Sequence, residues 1–271
     1  MNGMNQYQLT GTAAEMYERN LVPTIFEPFA IDLLERAHLQ PGERVLDVAC
    51  GTGIVGRLAW LKVTPSGRVV GVDTNPEMLT VAQQASQKIG VDIEWIEGNA
   101  AKMPIPDGDF DVVVCQHGLQ YFPDQPAALN EMRRVLNDHG RLVLNVWRPI
   151  KFNAGHAVFA EVLERHVSAE AAATRRAPFK LSDREEIRTL LNDAGFHDSV
   201  ASLATRIARF ASAEAMIRIM IAGTPLGAKM NDADPKALQA VIDEVTSGLS
   251  EYEDDRGLAI PMQSWVITAQ V

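Results

Sequence analysis

Between residues 44 and 147, short apolar runs alternate with stretches whose apolar positions recur at helical spacing. Runs such as "DVVVC" (Asp111 to Cys115) and "RLVLNVW" (Arg141 to Trp147) are apolar almost without a break, as a strand covered on both faces requires. The alternation predicts strands over Arg44 to Ala49, Val69 to Asp73, Asp92 to Glu97, Asp111 to Cys115 and Arg141 to Trp147. Helices are predicted over Ile54 to Leu61, Pro76 to Ile89 and Gln125 to Leu136, with turns rich in Gly, Pro and Asp between them. Upstream, Thr12-Ala13-Ala14-Glu15 has the T-x-x-E form of a capping box. A short helix is expected from Ala13, carrying Tyr17 and interrupted by Pro23, followed by a second helix over Pro28 to Ala37.

After Trp147 the rhythm changes. The segment Arg148 to Leu181 holds one expected helix, Ala154 to Val167, and a second capping box, Ser182 to Glu185, opens a helix that ends at Gly195. Two late strands, Ser199 to Phe210 and Leu258 to Ala269, enclose helical stretches over Ala213 to Ala222 and Pro235 to Leu249. The fold class is therefore α/β: a doubly wound, seven-stranded, mostly parallel, Rossmann-like sheet with the last two strands as an antiparallel edge and helical cap elements. We expect one structural domain in three parts: an amino-terminal helical lid (1–40), a cofactor-binding core (41–148) and a carboxyl-terminal half (149–271). In the last part, insertions at 149–181 and 211–257 would cover a site at the carboxyl ends of the parallel strands, where open α/β sheets bind ligands.

Of the 271 residues, 46% are hydrophobic, ample for a buried core, and the formal net charge of −10 repels nucleic acid and anionic membrane surfaces on average. No nucleic-acid partner is expected. The amino terminus shows neither a charged leader nor an apolar stretch, and no run of about 18 apolar residues follows; the reading is cytoplasmic, without membrane insertion. The two cysteines, Cys50 and Cys115, end predicted core strands without metal-ligand spacing, and read as small hydrophobes rather than a disulfide or metal site. No metal is expected.

Gly51-Thr52-Gly53-Ile54-Val55-Gly56 has the G-x-G-x-x-G spacing of a dinucleotide-binding turn, and Asp73 stands twenty residues beyond Gly53, where such proteins hold a ribose. Asp47, inside the strand before the turn, argues against that reading. Its charge would repel a pyrophosphate but favour, directly or through water, the ammonium and sulfonium of S-adenosylmethionine.

Four segments in order, "VLDVACGTG", "VVGVDTNPEML", "IEWIEGNAAKMPIPDGDFDVVVC" and "EMRRVLNDHGRLVLNVW", resemble the motif series of class I S-adenosylmethionine-dependent methyltransferases, in particular the small-molecule branch similar to ubiquinone/menaquinone biosynthesis methyltransferases. The resemblance covers about Pro41 to Trp147 and implies a methyl transfer to O, N, S or C of a small molecule, leaving S-adenosylhomocysteine. It implies that Asp73 bonds the ribose hydroxyls and that Thr74 and Met78 line the adenine. Asn99, with Ala100 beside it, stands where the family has an acid on the adenine amino group, and Ala49 stands at the family's first glycine. Gly51 and Gly53 form the turn. Gln116 and His117 follow the fourth strand, where side chains project over the methyl, and Tyr17 lies on a helix that folds over the cofactor in that family.

The catalytic candidates are thus His117 and Tyr17; the cofactor-binding candidates are Tyr17, Asp47, Ala49, Gly51, Gly53, Asp73, Thr74, Met78, Asn99, Ala100 and Gln116. As a base His117 would titrate near pH 6 to 7. The other five histidines read as surface or turn residues, with His156 alone near the site, and "AMIRIMIAG" (Ala215 to Gly223) reads as helical core. Apolar covering segments imply a largely apolar acceptor; its identity and the oligomeric state are not encoded. Two alternatives stand beside this reading: an NAD-dependent oxidoreductase, and a non-catalytic S-adenosylmethionine-binding module whose late helices dock a partner protein.

Overall fold

The computed structural model describes residues 12–227 and 235–271. Residues 1–11 of the expected lid, residues 228–234 of the second insertion and the Thr12 side chain of the first capping box lie outside the described residues. Strands β1 (Arg44–Val48), β2 (Arg68–Asp73), β3 (Glu94–Glu97), β4 (Phe110–Gln116) and β5 (Leu136–Trp147) run parallel, in the order β3-β2-β1-β4-β5. The sheet continues through β8 (Gly257–Gln270) to β6 (His197–Phe210), each antiparallel to its neighbour, and a two-residue strand β7 (Glu253–Asp254) pairs with β8. The expected sheet is present, with β7 as an eighth strand too short to leave a hydrophobic pattern.

Side chains leave a strand on alternate faces, and both faces are covered. Val45, Val112, Val114 and Val143 join one core with α2 (Glu27–Ala37), α3 (Ile54–Val63), α6 (Ala154–His166), α9 (Ala213–Ala222) and α10 (Pro235–Gly248). Leu46, Val48, Val113, Cys115 and Leu144 join the other, against α5 (Gln125–Val135) and α8 (Arg184–Asp193). α4 (Pro76–Ile89), capped by the Asn75 side chain, packs beside β2 and β3 and turns Met78 and Val81 toward Ala14.

Two expectations fail here. Pro23 does not interrupt the amino-terminal helix: α1 (Thr12–Met16) runs into a π-helical stretch over Tyr17–Phe26, which continues directly into α2. Proline lacks an N–H and its ring crowds the carbonyl four residues back; widening the turns accommodates it, and the Glu27 N–H donates to the Val22 carbonyl, five residues back. The segment Arg148 to Leu181 holds a second helix, α7 (Ala169–Arg176), capped by Ser168, beyond the one expected.

β3 is short, and Trp95 holds it in place by lying across backbone that carries no side chain. A Cβ on Gly71 of β2 would stand 2.3 Å from the Trp95 ring, and one on Gly53 equally close. Gly71→Ala is expected to cost about 1–3 kcal/mol in urea unfolding, and much less in a Trp95→Leu background, where the clash is gone. An equal cost in both backgrounds would refute this packing.

Candidate functional site

The β1–α3 turn is built at the carboxyl end of the sheet from residues held in left-handed conformations. Gly51 (φ +54) and Gly53 (φ +83) adopt them without strain, whereas Ala49 does so at φ +57 against a steric cost of about 1–2 kcal/mol. What holds the turn is Asp73, at the end of β2. Its Oδ2 accepts the Gly51 N–H (2.8 Å) and its Oδ1 the Asn75 N–H (2.9 Å), tying the turn to the start of α4. Burial pushes the Asp73 carboxyl up, while the N–H groups of Asn75, Gly51 and Thr74 draw it back.

Asp47 sits elsewhere than expected. It is 1% exposed, does not line the cavity, and its Oδ2 accepts the Gly56 N–H (3.0 Å) in the first turn of α3. On β1 it shares a face with Val45, which turns it under the turn rather than over it. No N–H reaches Oδ1, and burial raises its carboxyl to about 8, so Asp47 carries a proton in neutral water. Gly53, covered by Trp95, does not line the cavity either.

A cavity of about 280 Å³ opens above these strand ends. Ten expected residues line it: Tyr17, Ala49, Gly51, Asp73, Thr74, Met78, Asn99, Ala100, Gln116 and His117. No atom stands within 4 Å of where a Gly51 Cβ would be, so the turn's backbone faces open space. Asn99 Oδ1 accepts the Ala101 N–H (2.9 Å), which leaves one lone pair of that oxygen for a ligand. The donor set suits an adenosine: a strand-end carboxylate for hydroxyls, an amide at the next strand end, and Met78, Val72 and Ala100 as apolar walls.

Beyond this end the wall is aromatic. His117, itself at φ +51, stacks on Trp147 with centroids 3.7 Å apart and planes 10° apart, and meets the rings of Phe29 and Phe26 edge-on. Its backbone N–H donates to Asn145, and neither ring nitrogen has a hydrogen-bond partner. Burial pushes the imidazole down to about 3, which overturns the expected titration near pH 6 to 7: His117 is neutral in any physiological medium. His156 is likewise no surface residue. It is buried, lines the cavity, and packs its ring against Phe179. "AMIRIMIAG" is helical core as expected, with Met216 and Ile217 buried, and it also places Met220 and Gly223 on the cavity. Sequence reasoning missed Tyr121, Trp147, Arg175 and Met262 among the lining residues; no local motif marks them, and Arg175 lies on the unpredicted α7.

Near the cavity the amino-terminal segment is fastened by two side chains. Arg57 of α3 pairs with Glu18 (2.7 Å) while also donating to the Thr52 carbonyl of the turn, and Gln116 Nε2 donates to the Phe26 carbonyl (2.7 Å). Tyr17 stacks on Phe26 and lines the cavity. Cys50 and Cys115 are buried, free thiols that burial pushes up, Cys115 to about 12. Among the described residues no helix is long and apolar enough to cross a membrane.

Residues 46–144 match the methyltransferase domain family. The ubiquinone/menaquinone biosynthesis C-methyltransferase UbiE of Cronobacter sakazakii is 31% identical over 186 residues, which span 64% of this chain and 73% of that protein. Two solved structures share the fold at low identity. One is an S-adenosylmethionine-dependent methyltransferase of Aquifex aeolicus (TM-score 0.54, 16% identity, 95% of this chain and 99% of that one). The other is phosphoethanolamine N-methyltransferase 2 of Haemonchus contortus in complex with S-adenosyl-L-methionine (TM-score 0.61, 17% identity, 96% of this chain and 57% of that one).

The raised Asp47 carboxyl has a signed consequence. Between about pH 4 and 8 the folded protein keeps a proton that the unfolded chain has released, so this group's contribution to stability falls as pH rises through that window. Asp47→Asn retains an oxygen for the Gly56 N–H and removes the titration. From pH 5 to pH 8 the wild type should lose stability relative to this variant by an amount on the order of a few kcal/mol in denaturant titrations. Parallel stability curves would show that Asp47 is ionised throughout.

Proposed function

Because this chain belongs to the S-adenosylmethionine-dependent methyltransferases and transfers methyl groups from that cofactor, we propose that its acceptor is a small, largely apolar organic molecule held in the aromatic half of the cavity. The observation that carries this reading is the continuity of one cavity from the Asp73 end to the His117–Trp147 stack and the sulfur-lined wall of Met220 and Met262. Relatives named for quinone methylation agree with an apolar ring as acceptor, and the acidic surface agrees with a small molecule rather than nucleic acid. The nicotinamide reading has lost its ground, since the family matched is a methyltransferase domain. A non-catalytic module would have no use for an apolar chamber beside the cofactor end.

When bound, S-adenosylmethionine supplies an electrophilic methyl on a sulfonium. The chain's own residues have four tasks in this reading. Asp73, anchored by the N–H groups of Gly51, Asn75 and Thr74, presents its remaining acceptor capacity to the ribose hydroxyls. Met78, Thr74, Asn99 and Ala100 enclose the adenine, and Ala49, Gly51 and Gln116 border the rest of the cofactor. The electron-rich face of Tyr17 favours a positive sulfonium, and the segment 12–40, fastened through Glu18 and Arg57, excludes water. The two carboxyl-terminal insertions form the acceptor's cover. His117 orients the acceptor as a neutral hydrogen-bonding ring, since most of the barrier to such a transfer is removed by alignment of nucleophile and methyl.

Incubating the protein with S-adenosylmethionine and a panel of quinols, phenols and aliphatic metabolites, and measuring S-adenosylhomocysteine release, tests the reading; release with polar or macromolecular acceptors alone would sink it. Asp73→Ala should weaken S-adenosylhomocysteine binding in calorimetry by one to two decades, the loss of a charge-assisted contact of about 1.5–3 kcal/mol. Unchanged affinity would remove Asp73 from the cofactor site. His117→Ala should slow transfer to an acceptor found in that panel by roughly 10- to 100-fold without altering cofactor affinity. Because its imidazole lies near 3, the pH–rate profile between pH 5 and 9 should keep its shape, whereas an acidic limb lost in the variant would restore His117 as a base.

A further inference from the structure

Two arginines are equally buried in this protein, each 7% exposed, and their surroundings differ completely. Arg57 has the Glu18 carboxylate and the Thr52 carbonyl. Arg175, on α7, has neither. Among the described residues its hydrogen-bonding neighbour is the Met220 sulfur at 3.5 Å, a weak acceptor, its Nε has no partner, and no carboxylate lies within ion-pair distance. The guanidinium lines the cavity.

A buried cation without a counter-ion is costly, and such groups persist where something outside the chain completes them. Burial lowers the Arg175 guanidinium only to about 10, so it keeps its charge at neutral pH. The groups close to it relieve little of that cost. His156, itself held neutral by burial and by Arg175, leaves its Nε2 unpartnered, and among the described residues Tyr121 is the one group that favours the cation, against the larger cost of burial. Around them the surface is apolar: Pro178 beside Arg175, Met220 from α9 and Met262 from β8. An arginine fork and an unused imidazole nitrogen, set in an apolar wall, form a receptor for a planar oxyanion.

We propose that Arg175 is a specificity-determining residue that pairs with a carboxylate on the methyl acceptor, so that the acceptor class is a small apolar carboxylic acid rather than an uncharged ring. The inference rests on the methyltransferase reading for the existence of an acceptor, and it commits to the acceptor as the source of the carboxylate. The methionine moiety of the cofactor carries the same group. Arg175, however, is on α7 with Met220 of α9 and His156 of α6 as its neighbours, whereas the cofactor candidates Ala49, Gly51 and Asp73 lie on the β1 turn and β2.

The test uses the full chain saturated with S-adenosylhomocysteine and a panel of paired aryl and alkyl carboxylates and their carboxamides, naphthalene-2-carboxylate against its amide among them, with affinity read by calorimetry. In the wild type the best carboxylate should bind at least about tenfold more tightly than its amide, as one charge-assisted contact supplies. Arg175→Met should abolish that preference and Arg175→Lys should keep part of it, with S-adenosylhomocysteine affinity unchanged within about twofold in both. The apo Arg175→Met protein should unfold at the same temperature as the wild type or higher, because an unpaired buried charge has been removed. Equal binding of every carboxylate and amide, or a preference that survives Arg175→Met, overturns the proposal. So does a variant that loses S-adenosylhomocysteine instead, which would assign the guanidinium to the cofactor, or one that unfolds several degrees lower, which would make Arg175 structural. Failure of the wild type to bind S-adenosylhomocysteine at all would strike the underlying reading, and is seen before any acceptor probe is added.

Discussion

One carboxylate holds the ligand-facing end of the sheet together. Asp73 takes the Gly51 N–H on one oxygen and the Asn75 N–H on the other, joining the tip of the β1 turn to the cap of α4. Without that bridge, among the described residues the turn would be tied to β2 only by the Cys50 N–H on the Val72 carbonyl, and the Gly51 backbone would lose its fixed orientation toward the cavity. The bond geometry also divides the work between two acids. Asp47, paired to Gly71 in the sheet register, is sealed beneath the turn with one N–H donor and holds its proton in neutral water. Asp73, facing the cavity with several N–H donors, is the acid placed to meet a ligand.

The far wall follows a different logic. His117, Trp147, His156 and Phe179 are brought together from the loop after β4, β5, α6 and the turn after α7, with neighbouring ring centroids 3.7 to 6.5 Å apart. Two of the four are histidines, yet burial keeps both uncharged, so the wall is apolar in effect while retaining nitrogens able to form hydrogen bonds. A chamber of this kind aligns a substrate through shape and a few directed contacts. Methyl transfer asks for little more, because a methyl on a sulfonium is already activated toward departure of a neutral thioether and the entropic cost of alignment dominates.

Much of this was legible in the sequence where the determinants are local. Apolar runs and glycine breaks located six of the seven longer strands to within two residues, since period and turn chemistry act over short spans, while β5 starts at Leu136, five residues before the expected Arg141. The turn and Asp73 were legible because backbone geometry ties residue type to position there. What escaped was nonlocal or compensated. Pro23 reads as a helix break on local rules, and the helix survives it by widening its turns. Asp47 reads as a ligand acid because its strand position is visible while the face it shares with Val45 is not. The titration of His117 depended on Phe29 and Trp147, 88 residues upstream and 30 downstream. Arg175 lies on a helix with no apolar periodicity of its own, a run of alanines ended by two arginines.

Buried groups without partners are spread over the described residues, Asp47, Thr52, Trp95 and Arg148 among them, and three of the residues that carry them face the cavity. Both ring nitrogens of His117, both amide atoms of Gln120, Nε2 of His156 and Nε of Arg175 are buried without partners, and the three of these residues that carry basic groups all line the cavity. Each costs free energy in the empty protein, on the order of 1–3 kcal/mol for a neutral group and more for a charged one. A core selected for stability alone would replace them with hydrocarbon. The four such atoms on the chamber, Nδ1 and Nε2 of His117, Nε2 of His156 and Nε of Arg175, stand where a ligand can supply the missing partners. Binding then recovers what folding left unpaid, and affinity comes from groups already in place rather than from rearrangement.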